Sequence, residues 1–304
     1  MTDTVLILGA NGRFGRHAAE AFWNAGWHVR LFDRATDDLM EKAHGVDVIV
    51  NAWNPPYTKW ATQLPQLTRE VIAAAKISGA MVLIPGNIYG YGTGIPPVIT
   101  NETPVEAQNP LGRIRIKMEA AYRTAGVKTI VLRAGDFIDT QASGNWFDEV
   151  ITAKLAKGKV VSPGDPDAMH AWAYLPDLTR AAVALAEKRE NLEAFQEVLF
   201  SGYTLSVREI AALAEQATNR SLKVSKMNWA PLWIAAPFWS MGRRLLEMRY
   251  LWSRPHSIDG AQVAALLPDF KQTDHLTAIA SAIGHTNVDP NHAVTRGGNN
   301  LVTE

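Results

Sequence analysis

Short apolar runs alternate with longer segments of helical periodicity along the first half of the chain. The apolar runs predict five strands, at residues 5–8, 28–32, 46–50, 81–84 and 129–132. Apolar residues recur at helical spacing in residues 13–24, 59–78 and 110–125, and Pro65 is expected to kink or interrupt the second of these helices. Because strands that alternate with helices are typical of a parallel sheet, we predict an α/β fold with a doubly wound parallel sheet.

The second half of the chain is less regular. A strand predicted at residues 171–175 is followed by a helix at 177–187 and a strand at 197–200. Ser206 and Glu209 form the capping-box pattern that opens a further helix, and a Trp-rich stretch predicts helical structure at 231–252. We therefore divide the chain into a first domain at residues 1–170, to which 171–190 return, a smaller C-terminal α/β substrate domain at 191–284, and a flexible tail at 285–304.

Composition excludes several classes of function. The chain carries 30 basic and 30 acidic residues and no cysteine. This balance gives no reason to expect a nucleic-acid partner, and disulfides and thiolate metal sites are excluded. The eight histidines show no ligand spacing, so no metal site is predicted. The N-terminus lacks the basic region of a signal peptide, which makes a cytoplasmic location the expectation.

Three glycines lie where the first predicted strand leads into the first helix. Residues without a Cβ atom let the backbone turn tightly and approach a pyrophosphate, whose charge is stabilised by the free amides at a helix N-terminus. With a strand before it and a helix after it, this loop predicts a dinucleotide-binding Rossmann fold. The predicted cofactor contacts in the loop are Gly9, Asn11, Gly12, Arg13, Phe14 and Gly15.

Asp33 ends the second predicted strand, 18 positions after Gly15. A carboxylate at this place can accept hydrogen bonds from both ribose hydroxyls of NAD and repels the extra phosphate of NADP. Arg34 and Arg13 leave NADP possible, because either guanidinium can pair with that phosphate. Arg34 can equally stack on the adenine or lie in solvent. NAD is the predicted cofactor.

Several stretches occur in an order that resembles the extended short-chain dehydrogenase/reductase superfamily, the NAD-dependent epimerase/dehydratase group. They are LILGANGRFG, DVIVNA, IYGYG, NETP and LRAGDFID, and the resemblance covers residues 4–284. It implies an NAD(P)-binding oxidoreductase or an epimerase/dehydratase-like enzyme that acts on a small molecule. It also places Asn51, Ala52 and Trp53, which follow the third strand, against the cofactor.

The three catalytic positions of that family are changed in this chain. Aligning PLGRIRIKME with the family's Tyr-x-x-x-Lys motif puts Leu111 at the tyrosine and Arg115 at the lysine, and Pro85 falls at the serine. Leucine carries no transferable proton, and arginine does not deprotonate, although Arg115 can still hold the nicotinamide ribose. The chain thus resembles atypical members of the superfamily. The alternative is a non-catalytic regulator that senses NAD(P), of the NmrA-like type.

Other residues are candidates for the missing chemistry. Tyr89 and Tyr91, after the fourth strand, can each supply a phenol near the nicotinamide, although the family uses the tyrosine at 89 structurally; Arg115 completes the predicted catalytic set. Asn87 can bond a substrate oxygen or form a turn. The predicted substrate contacts are Asn54, Tyr57, Asn87, Asp136 and His170.

Two patterns have alternative interpretations. The run RIRIK alternates like a strand, but Asn109 as N-cap, Pro110 at the first helical position and Gly126 at the end predict a helix, with Arg113 and Lys117 in solvent. The Trp-rich stretch at 229–252 is too short and too interrupted by proline to span a bilayer. It is expected to be a lid or core helix, with membrane or partner contact as the alternative. A homodimer is possible.

Overall fold

The computed structural model describes residues 2–284, so the tail predicted at 285–304 lies outside the described residues. The first elements are β1 (Thr4–Leu8), α1 (Arg13–Asn24), β2 (His28–Phe32), α2 (Leu39–Ala43), β3 (Val48–Asn51), α3 (Trp60–Ser78), β4 (Met81–Gly86), β5 (Val98–Ile99), α4 (Pro110–Ala125), β6 (Thr129–Arg133) and β7 (Asp136–Ile138). The remaining elements are β8 (Lys159–Ser162), β9 (His170–Tyr174), α5 (Leu175–Glu187), β10 (Phe195–Leu199), β11 (Tyr203–Leu205), α6 (Val207–Thr218), β12 (Lys223–Lys226), α7 (Ala230–Ala235), α8 (Ser240–Glu247), β13 (Ser257–Ile258), α9 (Ala261–Leu266) and α10 (His275–Ile283).

Six strands form one sheet in the order β10-β6-β4-β3-β1-β2, and every neighbouring pair is parallel. The chain runs outward from β1 to β2 and then returns to the other side of β1 with β3. This reversal creates a crevice at the carboxyl ends of β1 and β3, where ligands of such sheets bind. The predicted doubly wound Rossmann architecture is confirmed.

Both faces of this sheet are covered, as parallel strands require. Successive side chains of β1 are all buried and point to opposite faces. Leu6 and Leu8 pack in a cluster with α2, α3 and α4, whereas Val5 and Ile7 pack in a second cluster with α1, α5 and α9. The helix that opens with RIRIK is α4, and its Arg113 and Lys117 are exposed as predicted.

A second, smaller part is built on the three-stranded sheet β11-β9-β7, with β12 paired to β8. These strands share a third apolar cluster with α6 and α10. The last strand of the large sheet is β10, and α9 packs beside it, although both follow residue 191. The domain boundary predicted at 191 therefore does not coincide with the division between the sheets.

Three predictions of local helix structure can be compared with the observed helices. The capping box of α6 forms with both of its hydrogen bonds. Helix α3 runs through Pro65 without interruption. The predicted helix at 231–252 is instead divided into α7, α8 and a short 3-10 helix, because α7 ends at Ala235 and Pro237 cannot continue it.

Candidate active site

The glycine loop is packed so closely that two of its positions require glycine. Gly9 has a φ of +80°, and a Cβ atom on Gly15 would lie 2.1 Å from the carbonyl oxygen of Gly9. Helix α1 thus begins directly against the turn after β1. Among the described residues no side chain caps this helix, so its first amides, at Arg13 to Gly15, are available to an anion.

Arg13 is held by the loop that follows β7. Its guanidinium donates from Nε to the carbonyl oxygen of Ser143, at 2.8 Å, and from a terminal nitrogen, at 2.5 Å, to that of Gly144. These acceptors are neutral, so they do not cancel the charge of Arg13. Its positive charge therefore adds to that of the helix N-terminus.

Asp139 fixes the same loop to α1. Its Oδ1 accepts hydrogen bonds from Arg16 and from Nε2 of His17, the latter at 2.9 Å. Burial opposes ionisation, but these hydrogen bonds prevail and lower the pKa of Asp139 to about 2. The loop over the helix N-terminus is thus tied down by an ionised carboxylate.

The residues at the ends of β2 and β3 border the glycine loop. Asp33 is exposed just beyond β2, where its Oδ1 accepts a hydrogen bond from the amide of Ala35, and Arg34 is exposed beside it. The ring of Trp53 packs on Phe32, and its Cδ1 lies 3.2 Å from the place of a Cβ on Gly9.

Asn51 and Ala52 are buried at the end of β3, and the Asn51 amide donates to the hydroxyl of Tyr122. Together with the glycine loop and Asp33, these residues line one crevice. The cofactor contacts predicted from the sequence are therefore close neighbours in the fold.

Two of the three altered catalytic positions are in contact. Arg115 is buried, and its terminal nitrogen donates at 2.9 Å to the carbonyl oxygen of Pro85. Leu111 lies one turn earlier on α4 and is fully buried among apolar side chains. Burial lowers the pKa of Arg115, and its Nε has no hydrogen-bond partner among the described residues. Helix α4 thus presents a buried cation where the resemblance puts the family's lysine.

A second buried arginine organises the predicted candidate Tyr91. Arg133 is 1% exposed and bonds both Glu119, at 2.7 Å, and Glu197, at 2.5 Å. Burial opposes its charge, but the two carboxylates prevail and raise the pKa of Arg133. Tyr91 donates to Glu197 at 3.3 Å, and burial raises the pKa of its phenol. Its hydroxyl therefore belongs to this ion-pair network.

Tyr89 and Tyr57 form a pair in which the two hydroxyl oxygens are 2.7 Å apart. Burial raises the pKa of both phenols, most strongly for Tyr89. Both therefore keep their protons at neutral pH and act as hydrogen-bond donors rather than bases. Asn87 turns its side-chain oxygen to the amide of Tyr89 at 3.1 Å, and Asn54 is exposed.

The predicted substrate residues Asp136 and His170 contact each other directly. Nε2 of His170 lies 2.8 Å from Oδ2 of Asp136. The His170 ring is buried and stacked on Trp252, with centroids 4.3 Å apart and planes within 1°. Asp136 is only partly buried and acts electrostatically on both Tyr57 and Tyr89. The pair therefore places a carboxylate, oriented by His170, within electrostatic range of the two phenols.

Several residues of this region were missed from the sequence. His256 contacts the ring of His170, with centroids 4.4 Å apart, and its Nε2 has no hydrogen-bond partner among the described residues. The buried hydroxyl of Tyr250 likewise has none within residues 2–284. Both residues follow α8, in the stretch EMRYLWSRPHS. The tryptophans of residues 229–252 indicated packing there rather than a polar site.

Glu247, at the end of α8, reaches the N-terminus of α4. Its Oε1 accepts hydrogen bonds from the amide of Leu111, at 2.7 Å, and from the side chain of Asn109, at 3.0 Å. The prediction that Asn109 caps α4 is correct for its position and wrong for its side chain, which donates to Glu247. A carboxylate distant in sequence thus supplies the cap.

Metal sites and membrane-spanning helices are both absent from the described part of the chain. Residues 2–284 contain no group of three or more acidic or histidine side chains arranged to hold a metal ion. No helix in the same range is both long enough and apolar enough to cross a membrane.

Similarity of this chain to known proteins is found among solved structures. No protein-family model matches the chain, and no curated protein matches it. Among solved structures, MoeE5 in complex with UDP-glucose and NAD has a TM-score of 0.72 at 16% identity, with 93% of this chain and 98% of that chain covered.

UDP-glucuronic acid 4-epimerase from Bacillus cereus, in complex with UDP-glucuronic acid and NAD, has a TM-score of 0.71 at 15% identity, covering 93% of this chain and 99% of that one. TunA, an NAD-dependent NDP-hexosamine 5,6-dehydratase involved in tunicamycin biosynthesis, has a TM-score of 0.70 at 13% identity, covering 96% and 100%. At these identities the likeness establishes the fold, which this chain shares along nearly its whole length.

Proposed function

We propose that this chain binds NAD in the crevice at the carboxyl ends of β1 and β3 and is an atypical oxidoreductase or epimerase/dehydratase-like enzyme for a small molecule. The glycine loop supports the binding: a Cβ on Gly15 would fill the turn, and the first amides of α1 together with Arg13 suit a diphosphate. Asp33 would accept hydrogen bonds from the adenosine ribose. The neighbours solved with NAD have the same fold.

The observation that carries the catalytic proposal is the 2.8 Å contact between Asp136 and His170. NAD, when bound, would supply the oxidant for removal of a hydride from the carbon of an alcohol. In that reaction Asp136 takes the hydroxyl proton, and the Nε2–H of His170 orients the carboxylate. The Tyr57–Tyr89 pair donates a hydrogen bond to the substrate oxygen, and Arg115 holds the nicotinamide ribose. Tyr91 is a weaker candidate because its hydroxyl is bound by Glu197.

Binding is tested by quenching of tryptophan emission with NADH and NADPH. Asp33→Ala is expected to weaken NADH binding about tenfold and to reduce discrimination against NADPH, because an ionic hydrogen bond contributes about 1.5–3 kcal/mol. Glu20→Ala, an exposed carboxylate on α1, is the matched control. Unchanged affinity of Asp33→Ala for both dinucleotides would remove Asp33 from the ribose site.

Catalysis is tested by following NADH absorbance across alcohols, carbonyl compounds and nucleotide sugars. With a substrate found, Asp136→Asn is expected to lower kcat about 100-fold or more with little change in NADH affinity, as loss of a general base does. Tyr91→Phe is expected to retain most of the activity. Full activity of Asp136→Asn contradicts the assignment.

A different combination of binding and turnover results would favour the NAD(P)-sensing regulator. The three altered catalytic positions, Pro85, Leu111 and Arg115, are the observation in its favour. Tight NADH binding without turnover of any compound in the screen supports the regulator over the enzyme.

A further inference from the structure

Four large apolar side chains are exposed on α7 and on the turn that leads to α8. Trp233 is 55% exposed, Ile234 76%, Phe238 96% and Trp239 46%. We name these four residues the aromatic patch. The other two tryptophans of the segment, Trp229 and Trp252, are buried in the core of the smaller part. The interpretation of residues 229–252 as a lid or core helix therefore describes only part of the segment, and each side chain of the patch remains at least 46% exposed in residues 2–284.

The patch lies in a segment of the chain with a large excess of basic over acidic residues. Between Glu215 and Asp259 there are seven basic residues, and Glu247 is the single acid; the basic residues are Arg220, Lys223, Lys226, Arg243, Arg244, Arg249 and Arg254. Glu247 is bound by Arg244 and by the N-terminus of α4. Asp167, which acts on Lys226, is itself bound by Arg208. A chain with no net charge thus has a local excess of cations in the segment that contains the patch, and Arg243 donates to the carbonyl oxygens of Ala236 and Pro237 within it.

This charge decides between possible occupants. A symmetric dimer through the patch would place the same cationic surface against itself, which costs free energy by like-charge repulsion. An anionic occupant gains from the same charges. Tryptophan and phenylalanine side chains with flanking arginine and lysine are typical of segments that insert into the headgroup region of a bilayer.

We propose that the aromatic patch is a membrane-docking surface that inserts into bilayers containing anionic lipids. Trp233, Ile234, Phe238 and Trp239 enter the interface between headgroups and acyl chains, and the surrounding cations bind the anionic headgroups. Peripheral docking of this kind needs no membrane-spanning helix. The surface also borders the active-site crevice, since α8 packs on the turn at residues 57–59 and its Glu247 caps α4.

The test is flotation of the full chain with vesicles of phosphatidylcholine alone and of an equal mixture with phosphatidylglycerol. Binding is expected only with the mixture, accompanied by a blue shift of tryptophan emission. Raising the ionic strength from about 0.1 M to about 1 M shortens the Debye length from about 10 Å to about 3 Å and should weaken binding about tenfold or more. Absence of binding to the mixture overturns the proposal.

Two pairs of variants separate the apolar and ionic contributions. Ile234→Ser with Phe238→Ser should lower affinity for the mixed vesicles about tenfold or more, because both side chains are exposed and no folded contact is lost. The double variant Trp23→Ser with Ile77→Ser is the matched control, since these exposed residues lie at the C-terminal ends of α1 and α3, outside the patch. Equal binding of the two double variants refutes insertion by the patch.

The ionic contribution is tested with two double variants. One combines Lys223→Gln and Lys226→Gln, and its control combines Lys76→Gln and Lys117→Gln; all four lysines are exposed. The first pair is expected to weaken binding about tenfold and the second to leave it unchanged. Concentration-dependent self-association that Ile234→Ser with Phe238→Ser abolishes, without any vesicle binding, would assign the patch to a second copy and overturn membrane docking. Unfolding midpoints equal to wild type verify that every variant is folded.

Discussion

His256 should make the stability of this protein depend on pH, and the substitution His256→Asn tests it. The ring is 1% exposed, and its Nδ1 lies 2.8 Å from the carbonyl oxygen of Arg254. Burial, reinforced by the neighbouring His170, lowers the pKa of His256 from 6.5 to about 4. The folded protein therefore favours the neutral ring.

The sign of the effect follows from proton binding. Between about pH 6.5 and pH 4 the unfolded chain binds a proton at this histidine and the folded chain does not, so stability falls as the pH falls through this window. The free energy of unfolding is therefore expected to be lower at about pH 5 than at pH 7.5, by an amount equivalent to roughly 1.5 pK units, or about 2 kcal/mol. Above the unfolded pKa the stabilisation is fully present.

Urea unfolding followed by tryptophan emission measures this difference. His256→Asn retains a donor for the carbonyl of Arg254 but cannot be protonated, so its free energy of unfolding should fall about 2 kcal/mol less than that of wild type between about pH 7.5 and pH 5. His28→Asn removes an exposed histidine and is the control. Equal pH dependence in wild type and His256→Asn would show that His256 is not held neutral.

Two further substitutions probe the crevice. Gly15→Ala should abolish NADH binding, measured by fluorescence, because its Cβ would lie 2.1 Å from the Gly9 carbonyl oxygen; Gly26→Ala, in open space at a φ of +84°, should cost about 1 kcal/mol of stability yet leave binding intact. Arg133→Met should lower the free energy of unfolding by about 3–5 kcal/mol because the buried Glu119 and the partly buried Glu197 lose their closest cationic partner. Arg208→Met, which removes only the exposed pair with Asp167, should leave the free energy of unfolding close to that of wild type, and a similar loss in both variants would contradict this account.

Five of the six strands of the large sheet were predictable because their signals are local, whereas β10 was assigned to the smaller part. Each strand is a short apolar run bounded by turn residues, and α1 and β2 have the predicted limits at both ends. The glycine loop was predictable for the same reason, since the strand, the turn and the helix are contiguous. The short strands β5, β7 and β13 were not, because two or three residues carry no usable periodicity and are held by their pairing partners.

The proton-handling part of the site depends on contacts between distant segments. Asp136 and His170 are 34 positions apart, and each was found singly from its resemblance to a substrate-bordering segment. Nothing in either segment indicates that they would bond to each other or that Trp252 would stack on the ring. Glu247 and Leu111 are 136 positions apart, so the cap of α4 was equally hidden. Such contacts are set by tertiary packing, which one sequence does not encode in local pattern.

Arg115, which the resemblance aligns with the family's lysine, belongs to a group of neighbouring ion pairs. In the family pattern the cation lowers the pKa of the tyrosine beside it, and without a tyrosine that task disappears. Arg115 lies 3.9 Å from Glu119, which Arg133 binds more closely, so two arginines share the carboxylates of Glu119 and Glu197. The four charges balance, and this network therefore adds little net potential to the crevice.

Because this network has no net charge, Asp136, which is partly exposed and bonded to His170, is the carboxylate that we assign to proton transfer. Leu111 is fully buried, so restoring a tyrosine there would require the surrounding core to expand, which costs about 1–3 kcal/mol. The packed core leaves no room for a phenol at position 111. The hydroxyls of Tyr57 and Tyr89 are instead held in place by their mutual hydrogen bond. If the crevice transfers a proton, the geometry favours transfer at Asp136, on the side of the smaller domain, over transfer at α4.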